Sequence, residues 1–374
     1  MKRFLLPLLL SSLGWALAGG AQPAPQPLQL TLNLGGQQAR GELLRPATST
    51  PAPLVLLIQG TGPEDMNGSF TLYGGGVRQG SLGQLAQALA AQGFAVMRFD
   101  KRYAAQTFEP KAAAAAQQAY ATLTMQDLLA DAHTALNTAL AQGGIDKKRV
   151  YIYGWSEGSI IAAHLALDTQ ASGLIVQGPV VASFADTFTR QFEQVGLKYL
   201  TPYAKSGKID LAGVMAAFGG QGSGLAKMQA QLLLALDSTP QAPKLSSVLD
   251  TNKDGQIDLK AEALPTMRAM YPQILAQSPM YAPATSLSVL GELAPKLKMP
   301  VLILQGENDG NIDPAYAKQF AQALRAAGNK SVTIKLYAGL GHSLGAAPSL
   351  TQDDFAPMQS APMNDIAAWL RGQR

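Results

Sequence analysis

Ser156 stands in Gly154-Trp155-Ser156-Glu157-Gly158, the spacing G-x-S-x-G. A serine so placed can act as a nucleophile if the chain holds its hydroxyl clear of its neighbours. The same letters also spell an ordinary Gly-Ser turn, so the flanks decide. Val150, Tyr151, Ile152 and Tyr153 are β-branched or aromatic without a break, which predicts a short strand buried on both faces. Ile160 to Leu167 is rich in Ala and Leu and predicts a helix. The chain must reverse within the pentapeptide, with Ser156 strained at its tip. Small residues two before and two after the serine let strand and helix backbones pass closely. The helix N-terminus favours negative charge developing beside the hydroxyl.

A serine hydroxyl needs a base, and the base needs an orienting acid. The chain has three histidines. His133 lies within a predicted helix, Asp127–Leu140, and His164 lies on the helix after Ser156; both read as packing or surface residues. His342 sits in the Gly-rich run Ala338–Gly345, directly after the last predicted strand, where a loop can swing an imidazole over the sheet edge. Three carboxylates compete for the acid in Gln305–Asp313, after the strand Val301–Leu304. Asp313 precedes Pro314 and is more simply a helix cap. Glu307 lies closest to the strand and reads as surface. Asp309, between Asn308 and Gly310 in a tight turn that can aim a carboxylate sideways, is the acid chosen. The order Ser, Asp, His along the chain agrees with this set.

The oxyanion of an acyl-transfer intermediate needs donors fixed beforehand. One is the backbone N–H of Glu157. The other is expected from the loop after Leu54–Ile58, where Gly60-Thr61-Gly62 lets backbone approach a substrate, and Thr61 N–H is the donor assigned.

These residues require a scaffold. Leu28–Leu34 alternates Leu with polar residues and predicts a half-exposed strand, with Arg40–Arg45 as its antiparallel partner. Leu54–Ile58, Phe94–Phe99, the strand before Ser156 and Gly173–Val176 are apolar runs that do not alternate, separated by helices at Leu82–Ala91 and Asp127–Leu140. This rhythm predicts an α/β fold, a mostly parallel central sheet with helices on both faces. It stops at Val181. Until about Lys298 no buried strand appears, and the stretch is too long for a loop. Helix-like pieces at Asp186–Val195, Leu211–Phe218, Leu225–Leu236 and Glu262–Leu275 predict an inserted helical cap over the carboxyl edge of the sheet. The rhythm resumes with Val301–Leu304, a helix from Pro314 to Ala327, the strand Val332–Leu336 and a closing helix Pro362–Arg371. The expected organisation is a hydrolase-type core at 28–180 and 299–374 with a cap at 181–298.

Together, G-W-S-E-G at Gly154–Gly158, Q-G-T-G-P-E-D-x-N-G at Gln59–Gly68, D-K-R at Asp100–Arg102, G-E-N-D at Gly306–Asp309 and Gly341-His342 resemble the α/β-hydrolase superfamily. The resemblance covers about Gln29–Arg374 apart from the cap, and is greatest to secreted bacterial serine esterases named loosely with dienelactone hydrolases or serine aminopeptidases. It implies ester, thioester or occasionally amide hydrolysis through an acyl-serine, with no catalytic cofactor. Gln59 stands where many members have His, and Tyr103-Ala104-Ala105 replaces the usual Gly-rich turn after Arg102; both bear on substrate rather than mechanism.

A second signal lies inside the cap. Asp250-Thr251-Asn252-Lys253-Asp254-Gly255-Gln256-Ile257-Asp258 looks like an EF-hand calcium loop. Oxygen donors fall at positions one, three, five and nine, with Gly255 at the sharp turn and Ile257 for the core contact. Position twelve is Ala261, and Glu262 comes one residue late, so a bidentate ligand there requires a shifted backbone. The expected set is Asp250, Asn252, Asp254, Gln256, Asp258 and Glu262, holding a structural Ca²⁺ that clips the cap.

Composition narrows the partners. Apolar content is 47% of 374 residues, enough for a large core. Charged content is 14%, below the usual ~25%. Net charge is +4, partly from Lys2 and Arg3, and no basic run carries interleaved aromatics, so nucleic-acid binding has no support. Met1–Ala18 reads as a secretory leader: a positive start, the apolar run Phe4–Leu17 and the A-x-A of Ala16–Ala18. Ala21–Pro27 reads as part of a flexible lead-in at 19–27. The apolar run is short for a membrane span, and with no Cys there is no lipid-attachment thiol. The expectation is a secreted or periplasmic serine hydrolase acting on a small-molecule ester, without a stable membrane anchor. A serine peptidase of the same fold shares every triad residue. A calcium-dependent binding protein on this scaffold would show a broken triad, and all three positions are filled.

Overall fold

The computed structural model describes residues 24–71 and 76–373. The expected leader at 1–18 and the start of the lead-in lie outside the described residues. No helix among the described residues is long and apolar enough to cross a membrane.

The chain opens with a hairpin, β1 (Gln26–Leu34) and β2 (Gln37–Arg45). β3 (Ala52–Ile58) follows, then a two-strand ribbon, β4 (Phe70–Thr71) with β5 (Val77–Arg78). Helix α1 (Leu82–Ala91) leads to β6 (Ala95–Phe99), two short helices, α2 (Ala104–Thr107) and α3 (Ala113–Tyr120), and then α4 (Met125–Leu140). The amphipathic α4 starts at a reciprocal cap: Thr124 and Asp127 satisfy each other's backbone N–H groups. β7 (Ile145–Trp155), α5 (Gly158–Asp168) and β8 (Gly173–Gln177) complete the first half.

The main sheet has eight strands in the order β1-β2-β6-β3-β7-β8, followed by β11 (Val301–Gly306) and β12 (Val332–Tyr337). β2 runs antiparallel to both of its neighbours. From β6 onward every pairing is parallel. Alternate residues of the central strands feed two cores. Leu54, Leu56, Ile152, Val176 and Ile303 face α4, α5 and α12 (Ala315–Ala326). Val55, Leu57, Tyr153, Ile175 and Leu302 face α1 and α13 (Ser360–Gly372). Burial on both faces is why these strands read as unbroken apolar runs. At roughly 1.5–3 kcal/mol per buried aliphatic side chain, they are the main source of stability.

The insertion between β8 and β11 has a core of its own. It holds α6 (Phe184–Gln191), α7 (Leu197–Leu200), α8 (Leu211–Gly219), α9 (Gly224–Gln231) and α10 (Leu264–Leu275). Phe192, Leu200, Val214, Leu233, Ile257 and Ala263 are buried together there. The short α11 (Leu290–Leu293) returns the chain to the main core. The helix expected at Asp186–Val195 begins at Phe184, because Ser183 caps Asp186 N–H, and then widens into a π-turn at Phe192–Gly196. The helix expected to reach Leu236 stops at Gln231. Two three-residue strands also appear where none was expected: β9 (Lys208–Asp210) pairs antiparallel with β10 (Gln256–Asp258), setting buried Ile209 opposite buried Ile257.

Candidate active site

β7 delivers Ser156 at the carboxyl edge of the sheet, the usual place for a site in an open α/β fold. The turn is tight. A Cβ added to Gly154 would lie 2.2 Å from the carbonyl oxygen of Gly158, and one added to Gly158 would lie 2.2 Å from that of Gln59. Ser156 has φ of 55°, a left-handed conformation that costs a serine roughly 1–3 kcal/mol. Its N–H donates to Gln177 O at 2.8 Å, and its carbonyl accepts from Ser159 N–H at 2.8 Å, so surrounding bonds hold the strain.

The loops after β11 and β12 bring Asp309 and His342 together. His342 Nδ1 lies 2.8 Å from Asp309 Oδ2, and both residues are buried. The Asp309 carboxylate is oriented on every side: Oδ1 accepts from the N–H groups of Asn311 and Ile312, each at 2.8 Å, and Oδ2 also accepts from Gln305 Nε2 at 2.8 Å. With the acid fixed, Nδ1 carries the proton and Nε2 is left as the base. Glu307 is exposed. Asp313 accepts from Ala315 N–H and pairs with Arg190 at 2.9 Å, which is a capping role. Burial, the largest influence on the imidazole, disfavours its charged form. The charge of Asp309, its hydrogen bond and the charge of Asp353 outweigh burial and leave the His342 pKa raised.

Trp155 Nε1 donates to His342 O at 3.1 Å and Gln177 Nε2 donates to it at 2.9 Å, so the residue before the serine and the end of β8 both seat the histidine loop beside the elbow. Ser156 Oγ makes no hydrogen bond to the imidazole; such contacts commonly tighten only when substrate binds. His133 pairs with Asp168, and His164 Nε2 lies 3.0 Å from Ser288 O, so both are satisfied away from this edge.

The backbone donors lie across from this pair. Gly60 N–H is engaged by Glu64 Oε2 at 2.9 Å. The N–H groups of Thr61 and Glu157 make no hydrogen bond among the described residues. The side chain of Glu157 turns inward, where Oε2 accepts from Tyr281 O–H at 2.6 Å and Oε1 lies 3.6 Å from Lys101 Nζ. Tyr281 comes from the segment between α10 and α11, and its ring packs on Phe184 of the cap at 4.2 Å between centroids.

Several supporting residues escaped the sequence reading. Gln59, Gln177 and Gln305 close β3, β8 and β11, and all three are buried. Gln59 Nε2 donates to Asp65 O and to Phe99 O, Gln177 to His342 O, and Gln305 to Asp309, so each ties down one loop of the site. Buried Asp353 joins two of those loops: its Oδ2 accepts from His342 N–H at 2.8 Å and from Gly310 N–H at 3.1 Å. A shallow cleft lined by Phe70, Arg78, Trp155, Gln177, Ser343 and Phe355 lies alongside, but neither Ser156 nor His342 lines it.

The residues of the expected calcium loop bond within their own segment. Asp250 spends its oxygens on the N–H groups of Asp254 and Gly255, Asn252 on Asp254 N–H, and Asp254 on Gln256 N–H and on Lys208 Nζ at 2.7 Å. Asp258 caps Lys260 and Ala261. The extra residue before Glu262 is absorbed as a π-turn at Leu259–Ala263. That turn brings Glu262 back into the loop, where it accepts from Thr251, Asn252 and Asp258 N–H groups. Among the described residues no three acidic or imidazole groups converge as a metal site. Asp250, Asn252, Asp254, Asp258 and Glu262 thus each accept from backbone N–H groups of their own segment, with the Lys208 ammonium beside Asp254.

A family model described as serine aminopeptidase, S33, matches residues 70–346. Esterase EstD of Thermotoga maritima is 25% identical over 174 residues, 46% of this chain and 36% of EstD, so the chain spans about a third of that relative's length. Among solved structures, Est1E from Butyrivibrio proteoclasticus has 15% identity and a TM-score of 0.49, with 92% of this chain and 98% of that one covered. A carboxyl esterase from Bacillus coagulans in complex with glycerol has 16% identity and a TM-score of 0.49, covering 94% and 99%. An acylaminoacyl peptidase from Pyrococcus horikoshii has 13% identity and a TM-score of 0.46, covering 86% and 38%.

Proposed function

Because the chain belongs to the serine aminopeptidase S33 family of α/β-hydrolases, we propose that it is a serine hydrolase that cleaves carboxylic esters or thioesters of small molecules through an acyl-serine. The observation that carries this reading is the buried Asp309–His342 hydrogen bond of 2.8 Å beside a serine held at positive φ. His342 Nε2 takes the Ser156 proton as Oγ bonds to the acyl carbon. The carbonyl π electrons move onto oxygen, which faces the N–H groups of Thr61 and Glu157. When the intermediate collapses, the bond to the leaving group breaks and His342 returns the proton to it. Asp309 holds the tautomer and stabilises the imidazolium. Water, deprotonated by His342, then attacks the acyl-serine, and Ser156 leaves with the proton. No cofactor is needed for any of these steps.

The fold also serves peptidases, and the same triad would cut an amide. The carboxylates closest to the elbow favour the ester reading. Glu64 is engaged by Gly60 N–H, and Glu157 by Tyr281 and Lys101, so neither is left to hold a substrate amino terminus. The apolar leader pattern of the sequence supports a reaction outside the cytoplasm, secreted or periplasmic. The test compares p-nitrophenyl acetate and butyrate with aminoacyl p-nitroanilides, using wild type and Ser156→Ala. Ser156-dependent ester turnover is expected. Turnover of the anilides alone supports the peptidase, and no labelling of Ser156 by a fluorophosphonate overturns both.

A further inference from the structure

The motif Asp100-Lys101-Arg102 has so far played no part in the chemistry. Asp100 accepts from Met66 N–H and pairs with Arg40. Arg102 pairs with buried Asp131 at 2.7 Å. Lys101 does something different. Its side chain is buried, and its ammonium donates to the carbonyl oxygen of Gly60, reaches Tyr120 Oη at 3.3 Å and lies 3.6 Å from Glu157 Oε1.

The Gly60 carbonyl and the Thr61 N–H belong to one peptide unit. In a trans peptide they point in opposite directions, and no cis peptide occurs among the described residues. A cation fixed on the oxygen therefore fixes the direction of the N–H. It also draws electron density toward the oxygen, which strengthens the N–H as a donor. The next peptide back is held too, by Glu64 Oε2 on Gly60 N–H. Gly60 itself abuts the nucleophile: a Cβ built on it would lie 3.5 Å from Ser156 Cβ. We infer that Lys101 is a positioning residue of the oxyanion hole, which orients and polarises the Gly60–Thr61 peptide so that Thr61 N–H meets the developing oxyanion. This rests on the serine-hydrolase reading and extends it to a residue that touches no substrate.

Glu157 has a part in this arrangement. Its backbone N–H is the second donor, while its carboxylate is the counter-charge for Lys101 and accepts from Tyr281 of the cap-side segment. Both oxyanion donors are thus joined to one buried ion pair, and one hydroxyl beyond the sheet completes it. Taking two charges out of water is costly, and fixed polar groups at an oxyanion hole are a use that offsets such a cost.

The test is Lys101→Met, which keeps the packed stem and removes the ammonium, with Lys101→Arg as the conservative variant. Each is assayed for kcat and KM on p-nitrophenyl butyrate and for inhibition by an alkyl trifluoromethyl ketone. Ser156 Oγ adds to the carbonyl carbon of that ketone as the serine proton passes to His342, and the carbonyl π electrons move onto oxygen to leave a tetrahedral oxyanion. For Lys101→Met, kcat falls by roughly 10- to 1,000-fold, the upper end matching outright loss of an oxyanion donor at roughly 100- to 1,000-fold. KM stays within about threefold, and the ketone weakens by about the same factor as kcat. Lys101→Arg recovers a large part of both. A fall in kcat without a matching loss of ketone affinity, or a rise in KM alone, overturns the inference. If the Met variant does not fold, the Arg variant is judged by the same match between kcat and ketone affinity. Wild type without Ser156-dependent turnover overturns the serine-hydrolase reading instead, while wild-type turnover with an unaffected Lys101→Met overturns Lys101 alone.

Discussion

Substitutions at Asp353 separate a hydrogen bond from a charge. A single oxygen, Oδ2, accepts both His342 N–H and Gly310 N–H. Asp353→Ala orphans two buried donors at once. At roughly 1–3 kcal/mol for each unsatisfied group, the expected loss is roughly 2–6 kcal/mol. That is a large share of a typical stability of about 5–15 kcal/mol. Asp353→Asn keeps an oxygen able to accept from both donors and removes only the charge, so its structural cost is small. The charge matters for His342, because Asp353 is one of the groups that raise the imidazole pKa against burial. The neutral imidazole is the base, so activity is lost as pH falls through that pKa. Removing the charge lowers it, and the acid limb of kcat/KM moves to lower pH in Asp353→Asn. The Asp353 carboxyl is itself raised, by burial first and the neighbouring Asp309 charge second. A raised folded-state pKa means stability is lost as pH rises through it, so the Asn variant gains on wild type toward higher pH. Urea unfolding followed by tryptophan fluorescence reads the first effect, and a pH series on p-nitrophenyl butyrate reads the second. An Ala variant that loses less than about 1 kcal/mol, or an Asn variant whose acid limb moves upward, refutes the reasoning.

Burial pushes the Glu64 carboxyl up to about 8, against the pull of Lys101. The folded state then holds a proton that the unfolded state gives up, so stability falls between the ordinary carboxylate range and about pH 8. Glu64→Gln, which imitates the protonated acid, should flatten that slope in urea unfolding at pH 5, 7 and 9; an unchanged slope contradicts the assignment. The loop at Asp250–Asp258 is closed by its own hydrogen bonds and by Lys208, so thermal melts in EGTA and in millimolar Ca²⁺ should coincide, and a clear rise in Tm with Ca²⁺ shows instead that the loop takes the metal. Ser156 is held at φ of 55°, so Ser156→Gly should abolish turnover yet raise stability by about 1 kcal/mol or more in the same unfolding assay; a destabilised variant shows that the elbow is not strained.

The parts of the fold buried on both sides were legible. Continuous apolar runs fixed β3, β6, β8 and β11 to within a residue or two, since tertiary packing asks only that such strands be apolar throughout, whereas β7 starts five residues before its apolar run, at Ile145. The meeting of Asp309 with His342 and the place of Ser156 at the end of β7 were legible because each residue stands just past a strand in a Gly-rich turn. Asp353 was not: it lies in Thr351-Gln352-Asp353-Asp354 with nothing in spacing to separate it from a solvated acid, and only the folding of two distant loops onto it gives it work. Lys101 was quoted as part of a motif without a task, because its partner is a carbonyl oxygen, which every residue carries. In the cap, helix ends moved where a side chain captured a backbone N–H, as at Ser183, or where a π-turn took up an extra residue, as at Leu259–Ala263. One signal was present and unread: Leu56–Gly60, Leu174–Gly178 and Leu302–Gly306 each run from an apolar stretch into Gln-Gly. A polar residue at the end of a strand buried on both faces must find a buried partner, and a threefold recurrence points to one edge of one sheet.

Those three glutamines have a consequence for how the enzyme meets its surroundings. An amide can donate and accept but does not ionise at any pH a protein survives. The loops that carry Asp309, His342 and the approach to Thr61 therefore each keep one tether that is the same at pH 5 and at pH 9. Carboxylates or histidines at the same places would have made the scaffold loosen and tighten with the medium. That part of the frame stays constant while a few groups within it respond. Changes of rate with acidity then report on the reacting residues and their immediate neighbours rather than on the frame that holds them.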